Sequence, residues 1–275
     1  MKTVKVGLIQ FQMIPERAKD ESLQHARELL ELAYKNEAQI VCFPERWNYK
    51  QGKIEDNIES YNGPTMNFLQ KSSAELGIYI IGGGIWVYSE DETENHISSG
   101  LFNSQGELLG FQRKLHLYLA EKEKFIPGNE LKIFETEFGK IGIVICFDMT
   151  FPEVARFYAL NDADIIFSPV LIREEGIENW HIYLKARALE NRMPICAVNC
   201  VGQWGDQHYA GQSLIIDFKK GYETPSKLQI RCASSNEEQL LLDNVDLNTA
   251  QKLRKKRLAE RIAIDNIVFS KKSWG

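Results

Sequence analysis

Apolar positions along the chain switch repeatedly between two periods. Residues 4–11 form a short apolar run rich in β-branched side chains, the pattern of a buried strand. Residues 20–38 then place Leu23, Ala26, Leu30 and Ala33 at helical spacing. Residues 39–43 read as a second buried strand, closed by Pro44. A helix is predicted from about Pro64 to Leu76, with Pro64 suited to its first turn and Gly77 to its end. Residues 78–86 read as a strand interrupted by Gly82-Gly83-Gly84. The order is βαβαβ, which predicts an α/β sheet covered by helices.

The middle of the chain changes character. Residues 99–103 and 107–114 flank Ser-Gln-Gly, and 131–137 and 140–147 flank Phe-Gly; both read as hairpins. Alternation of strand and helix then resumes: helix 151–160, strand 164–170, helix 177–192, strand 195–201. Three more strands are predicted at 212–218, 228–233 and 239–245. No repeat, linker or low-complexity segment divides this run, so a single domain is expected over residues 1–275, with a tail from about 248. The tail opens as a helix carrying Lys252, Arg254, Lys255, Lys256 and Arg257. A solvated face, with Leu253 and Leu258 turned inward, is preferred there over a phosphate-binding patch.

Composition narrows the function classes. Hydrophobic residues are 44% and charged residues 26%, enough apolar material for a sizeable core and too much for general disorder. The net charge of −5 argues against a nucleic-acid or anionic-membrane binder, which needs a basic footprint. No apolar run approaches the roughly 20 residues of a membrane span. The first apolar stretch is broken by Lys5 and Gln10, unlike a signal peptide. Five cysteines, mostly within apolar runs, fit reduced thiols and a cytoplasmic protein. Cys196 and Cys200 lie four apart on one predicted strand, which points to packing rather than zinc. No metal and no cofactor is expected.

Three residues carry candidate chemistry. Cys146 ends the apolar run 141–146 and precedes a helix signalled by Pro152, so it is expected at a strand-to-helix turn. A thiol facing a helix N-terminus would have a lowered pKa; a small buried hydrophobe is the bland alternative. Glu45 emerges from the C-terminal end of a buried strand, the edge where catalytic groups collect in open α/β sheets. Its plain alternative is a loop ion pair, for example to Arg46. Lys114 closes the strand 107–114 and would supply a fixed cation to an oxyanion; otherwise it is a solvated edge charge. His116 shares its face by strand alternation, and a hydrogen-bonded structural imidazole is the preferred reading for it.

With those residues in place, the chain resembles the nitrilase superfamily of carbon–nitrogen hydrolases over about residues 4–260. Phe43-Pro44-Glu45 is similar to the family's general-base motif, Arg113-Lys114-Leu115-His116-Leu117 to its lysine motif, and Cys146-Phe147-Asp148-Met149-Thr150-Phe151-Pro152-Glu153 to its nucleophile motif. Gly63-Pro64-Thr65, Phe125-Ile126-Pro127-Gly128 and Arg187-Ala188-Leu189-Glu190-Asn191 agree with its flanking segments. The resemblance implies a four-layer αββα sandwich, pairing into homodimers or larger homo-oligomers. It implies a fourth functional residue seven positions past the lysine, Glu121, with Glu123 as a near competitor.

The implied chemistry is amide hydrolysis through a thioester. Glu45 takes the thiol proton, Cys146 attacks, and Lys114 with the Phe147 backbone N–H holds the oxyanion. Glu121 would orient the substrate amide or Lys114. True nitrilases usually carry Trp-Glu after the nucleophile, whereas this chain has Phe147-Asp148, which favours amides or carbamoyl compounds. Many ω-amidase-like members have arginine where Thr150 stands. Arg173, in the loop after the strand 164–170, is a candidate replacement that would read a substrate carboxylate; a surface charge beside Glu174 and Glu175 is the alternative. The expected partner is a short linear ω-amide, with an N-carbamoyl compound or an aliphatic nitrile as alternatives. A catalytically idle binding module of the same fold is the competing class.

Overall fold

The computed structural model describes residues 3–88 and 94–263. Its helices are α1 (Lys19–Lys35), α2 (Pro64–Leu76), α3 (Pro152–Leu160), α4 (Ile177–Asn191) and α5 (Leu247–Ala259). Pro64 and Pro152 open α2 and α3, where the missing N–H costs nothing, and Gly77 ends α2 at φ 65°.

The first sheet runs in the order Gln239–Asp246, Thr3–Gln10, Ile40–Cys42, Tyr79–Ile81, Asn95–Phe102, Ile85–Tyr88, Glu59–Ser60, with Leu108–Arg113 also paired to Asn95–Phe102. The second runs Ser226–Cys232, Leu214–Glu223, Ile195–Val198, Ile165–Pro169, Gly139–Ile143, Ile133–Thr136. Each has a parallel centre, with Val6 opposite Ile40 and Ile40 opposite Tyr79 in the first, and Ile141 opposite Ile165 in the second.

Strand alternation decides the layers. Val4, Val6, Leu8, Ile40, Cys42 and Ile81 share a core with Ile143, Phe167 and Ala197 of the second sheet. Ile9, Val41, Phe43 and Ile80 point the other way, onto Ala26 and Leu30 of α1 and Met66 and Leu69 of α2. On the far side α3 presses onto the second sheet. A Cβ on Gly142 would stand 2.6 Å from the Tyr158 ring, and the Tyr158 hydroxyl donates to the Ile143 carbonyl at 2.9 Å. The result is the helix–sheet–sheet–helix sandwich that the resemblance implies.

Several elements differ from the sequence reading: the strand expected at 140–147 ends at Ile143, and the one expected at 212–218 spans Leu214–Glu223. The strand expected at 195–201 stops at Val198 because buried Asn199 diverts the chain: its side chain bonds the Gly211 carbonyl and both backbone groups of Ile172 at 2.9–3.0 Å. Val201–Trp204 instead pairs with Gln12–Met13 and Gln207–Ala210 in a small third sheet. The basic face of α5 is not wholly solvated either. Arg254 is buried, 3.7 Å from Asp164, while Leu253 packs inward as expected. The end of the tail lies outside the described residues. Among the described residues no helix is long and apolar enough to cross a membrane.

Candidate active site

The parallel strands of both sheets deliver their C-terminal ends to one place. Just past Ile40–Cys42 the chain turns at Pro44, and the Glu45 amide donates to Val170 O at 3.1 Å, at the end of a second-sheet strand. This fastening buries Glu45 to 2% exposure. The glycine run that interrupts the 78–86 segment now has a reason. A Cβ on Gly84 would stand 2.6 Å from Glu45 Cγ, and one on Gly83 would collide with the Pro44 carbonyl. Only bare backbone fits against the glutamate.

Lys114 follows the Leu108–Arg113 strand and is 1% exposed, not an edge charge. Its ammonium lies 2.9 Å from Glu45 Oε1 and 2.9 Å from the Glu121 carboxylate. Burial works against the charge, but Glu45, Cys146 and Glu121 together outweigh it and raise the Lys114 pKa. The 3₁₀ turn Leu119–Glu123 brings Glu121, and not exposed Glu123, to the lysine; both Glu121 oxygens lie 2.9 Å from the ammonium, and Oε2 also accepts the Tyr118 amide at 2.7 Å. Burial and the nearby Glu45 raise the Glu121 pKa in spite of Lys114.

Cys146 begins the 3₁₀ turn Cys146–Thr150 at φ 47°, a left-handed conformation that costs a non-glycine residue about 1–3 kcal/mol. The expectation of a thiol activated by a helix N-terminus is overturned. α3 starts only at Pro152, and burial, reinforced by Glu45, raises the Cys146 pKa well above the ordinary thiol value. Lys114 and the Leu171 amide pull the other way without prevailing. Burial and the neighbouring carboxylate therefore favour the protonated form of the Cys146 thiol.

Two positioning residues escaped the sequence reading, although both lie inside the motifs it quoted. Asp148, 1% exposed, accepts hydrogen bonds from the Leu115 and His116 amides at 3.1 and 2.7 Å and contacts His116 Nδ1 at 2.8 Å. It ties the Lys114 loop to the Cys146 turn. His116 lies beyond the strand, so alternation does not place it, but it is the structural imidazole expected, stacked on Phe151 at 3.8 Å. Arg187 of α4 donates to the Met149 and Thr150 carbonyls at 3.2 and 2.8 Å, satisfying the end of the turn.

Cys146 opens into a pocket of about 260 Å³ walled by Phe147, Thr150, Leu171, Trp180 and Tyr118. Arg173 and Glu175 reach its rim. Arg173 is 39% exposed, with Nη1 3.6 Å from Glu175 Oε1: it borders the pocket and is also a loop charge beside a glutamate. A larger cleft between Tyr34 and Phe138 holds no cysteine and no buried lysine. Among the described residues no group of three or more His, Cys, Asp or Glu could hold a metal ion.

Comparison with known proteins follows the same lines. The family model for carbon–nitrogen hydrolase matches residues 5–255. The chain is 35% identical to the probable nitrilase C965.09 of Schizosaccharomyces pombe over 226 residues, covering 78% of each chain. It is 30% identical to omega-amidase NIT2-B of Xenopus laevis over 211 residues, 72% of this chain and 75% of that one. The carbon–nitrogen hydrolase structure from Helicobacter pylori G27 shares the fold at a TM-score of 0.83 and 22% identity, covering 96% of this chain and 97% of that one.

Proposed function

The chain belongs to the carbon–nitrogen hydrolase family and is a carbon–nitrogen hydrolase, and from that premise we propose that it hydrolyses a short linear ω-amide through a Cys146 thioester. One observation carries the reading: a buried ammonium at 2.9 Å from two carboxylates, beside a buried cysteine that opens into a small pocket. Glu45 takes the thiol proton as Cys146 Sγ bonds to the amide carbon. Lys114 and the Phe147 N–H hold the oxyanion. The tetrahedral adduct collapses, the C–N bond breaks, and the proton on Glu45 leaves with the nitrogen as ammonia. Water then gives its proton to Glu45 and its oxygen to the thioester carbon, releasing the acid and restoring the thiol. Glu121 keeps Lys114 charged and oriented. Arg173 pairs with a carboxylate at the far end of the substrate.

The similarity to a protein named an omega-amidase supports the amide, and the pocket volume supports a small linear substrate. The test is ammonia release from glutaramate, the uncharged pentanamide, an aliphatic nitrile and an N-carbamoyl amine. The expected result is turnover of the amides, lost in Cys146→Ala. Arg173→Ala should lose roughly 10- to 30-fold in kcat/KM on glutaramate alone, matching about 1.5–2 kcal/mol for a charge-assisted hydrogen bond. Preference for the nitrile or the carbamoyl compound would replace the substrate class. Inertness toward all four would favour an idle binding module.

A further inference from the structure

The rim of the pocket holds one cation and one anion, not a cation alone. Arg173 and Glu175 both border the space in front of Cys146, and the other polar residues there, Tyr118, Thr150, Asn179 and Tyr183, are uncharged side chains. At a nearest approach of 3.6 Å, from Arg173 Nη1 to Glu175 Oε1, the two charged heads are outside hydrogen-bond reach of each other. Arginine carries five N–H donors, so most of its fork is left for a ligand. Their loop is held by the scaffold. Asn199 bonds both backbone groups of Ile172, the Gly176 amide donates to the Arg173 carbonyl at 3.0 Å, and Glu174 contacts His208 Nδ1 at 3.0 Å.

A carboxylate bound to Arg173 lies close to Glu175 and is repelled by it. An ammonium on the neighbouring carbon removes that repulsion and gives the glutamate a partner of its own. We propose that the Arg173–Glu175 pair reads a zwitterionic α-amino acid head, making this enzyme selective for ω-amides of amino acids over ω-amides of simple acids. The inference rests on the amide-hydrolase reading above and specifies its substrate class. The reaction balances as that reading has it: water replaces the amide nitrogen, giving the amino dicarboxylic acid and ammonia. With the amide carbon at Cys146, the carboxylate at Arg173 and the ammonium at Glu175, the α-carbon is held at three points. Its mirror image cannot satisfy all three.

The experiment measures kcat/KM by ammonia release for L-glutamine, D-glutamine, glutaramate and pentanamide. It uses the wild type, Glu175→Gln and Glu174→Gln. In the wild type L-glutamine should exceed glutaramate at least tenfold, and one glutamine enantiomer should exceed the other at least tenfold. Glu175→Gln should compress the glutamine-to-glutaramate ratio to threefold or less. Glu174→Gln, whose carboxylate faces His208 instead of the pocket, should keep the ratio. Glutaramate equal to or better than glutamine in the wild type overturns the proposal. So does a ratio that survives Glu175→Gln. In both cases turnover of pentanamide or glutaramate leaves the amide-hydrolase reading standing. Absence of ammonia from all four compounds defeats that reading and the proposal with it.

Discussion

Replacing Lys114 by methionine keeps most of the side-chain volume and removes one buried positive charge. Glu45 and Glu121 would then face each other with no cation between them. At an effective dielectric of about 20, each 2.9 Å contact is worth roughly 6 kcal/mol of gross attraction, most of it offset by the cost of burying the ions. Breaking such a buried pair destabilises proteins by about 3–5 kcal/mol, because an unpaired charge is left behind. The two carboxylates can reduce this cost by sharing a proton, which pushes the folded Glu121 pKa further above the unfolded value of about 4.3. A raised folded pKa means stability that is complete below the unfolded pKa and lost as pH climbs through the folded one. Glu121 already leans that way with the lysine present. Urea unfolding should therefore show Lys114→Met less stable than wild type by about 3–5 kcal/mol at pH 8 and by half that or less at pH 5. Turnover should fall by a factor on the order of 10² to 10³, as for loss of an oxyanion stabiliser. A deficit under about 1 kcal/mol at pH 8, or one that grows toward acid, would refute the buried ion-pair argument.

Other expectations follow from the same geometry. Cys232 is the exposed thiol and Cys146 is buried and neutral, so iodoacetamide at pH 7.5 should label Cys232 first and Cys42, Cys196 and Cys200 only on unfolding; mass mapping that finds Cys146 first would point to a preformed thiolate. Gly84→Ala pushes a methyl against Glu45 Cγ and should cost about 1–3 kcal/mol of stability and at least tenfold in kcat, with wild-type turnover marking the argument as wrong. Asp148→Asn weakens the acceptor that fixes Leu115 and His116 and should lower kcat by roughly tenfold or more through a displaced Lys114, at a cost of about 1–3 kcal/mol in urea unfolding. A crystal structure of that variant with Lys114 unmoved would assign the loss elsewhere.

The local part of this protein was legible in its residues. β-branched runs, helical spacing, Pro64, Pro152 and Gly77 depend on neighbours a few positions away, and each element formed within a residue or a few of where those signals put it. Cys146, Lys114 and Glu45 were legible as candidates, each where a predicted strand ends, and the resemblance to the nitrilase superfamily is what joined the three into one expected site. Tertiary structure decided what those residues are. Lys114 reads in sequence as a fixed cation, with a solvated edge charge as the alternative, and only Glu45, 69 positions away, closing over it makes it a buried ion pair. Cys146 looked like a thiolate at a helix end, but burial and a neighbouring carboxylate hold its proton. Glu121 and Glu123 differ by two positions in sequence, and only the 3₁₀ turn sends one inward and the other to solvent. The strand that ends at Val198 and the burial of Arg254 likewise follow from distant partners, Ile172 and Asp164. Propensity and periodicity are sums over short windows, whereas burial, ion pairing and pKa depend on groups that meet only when the two sheets pack.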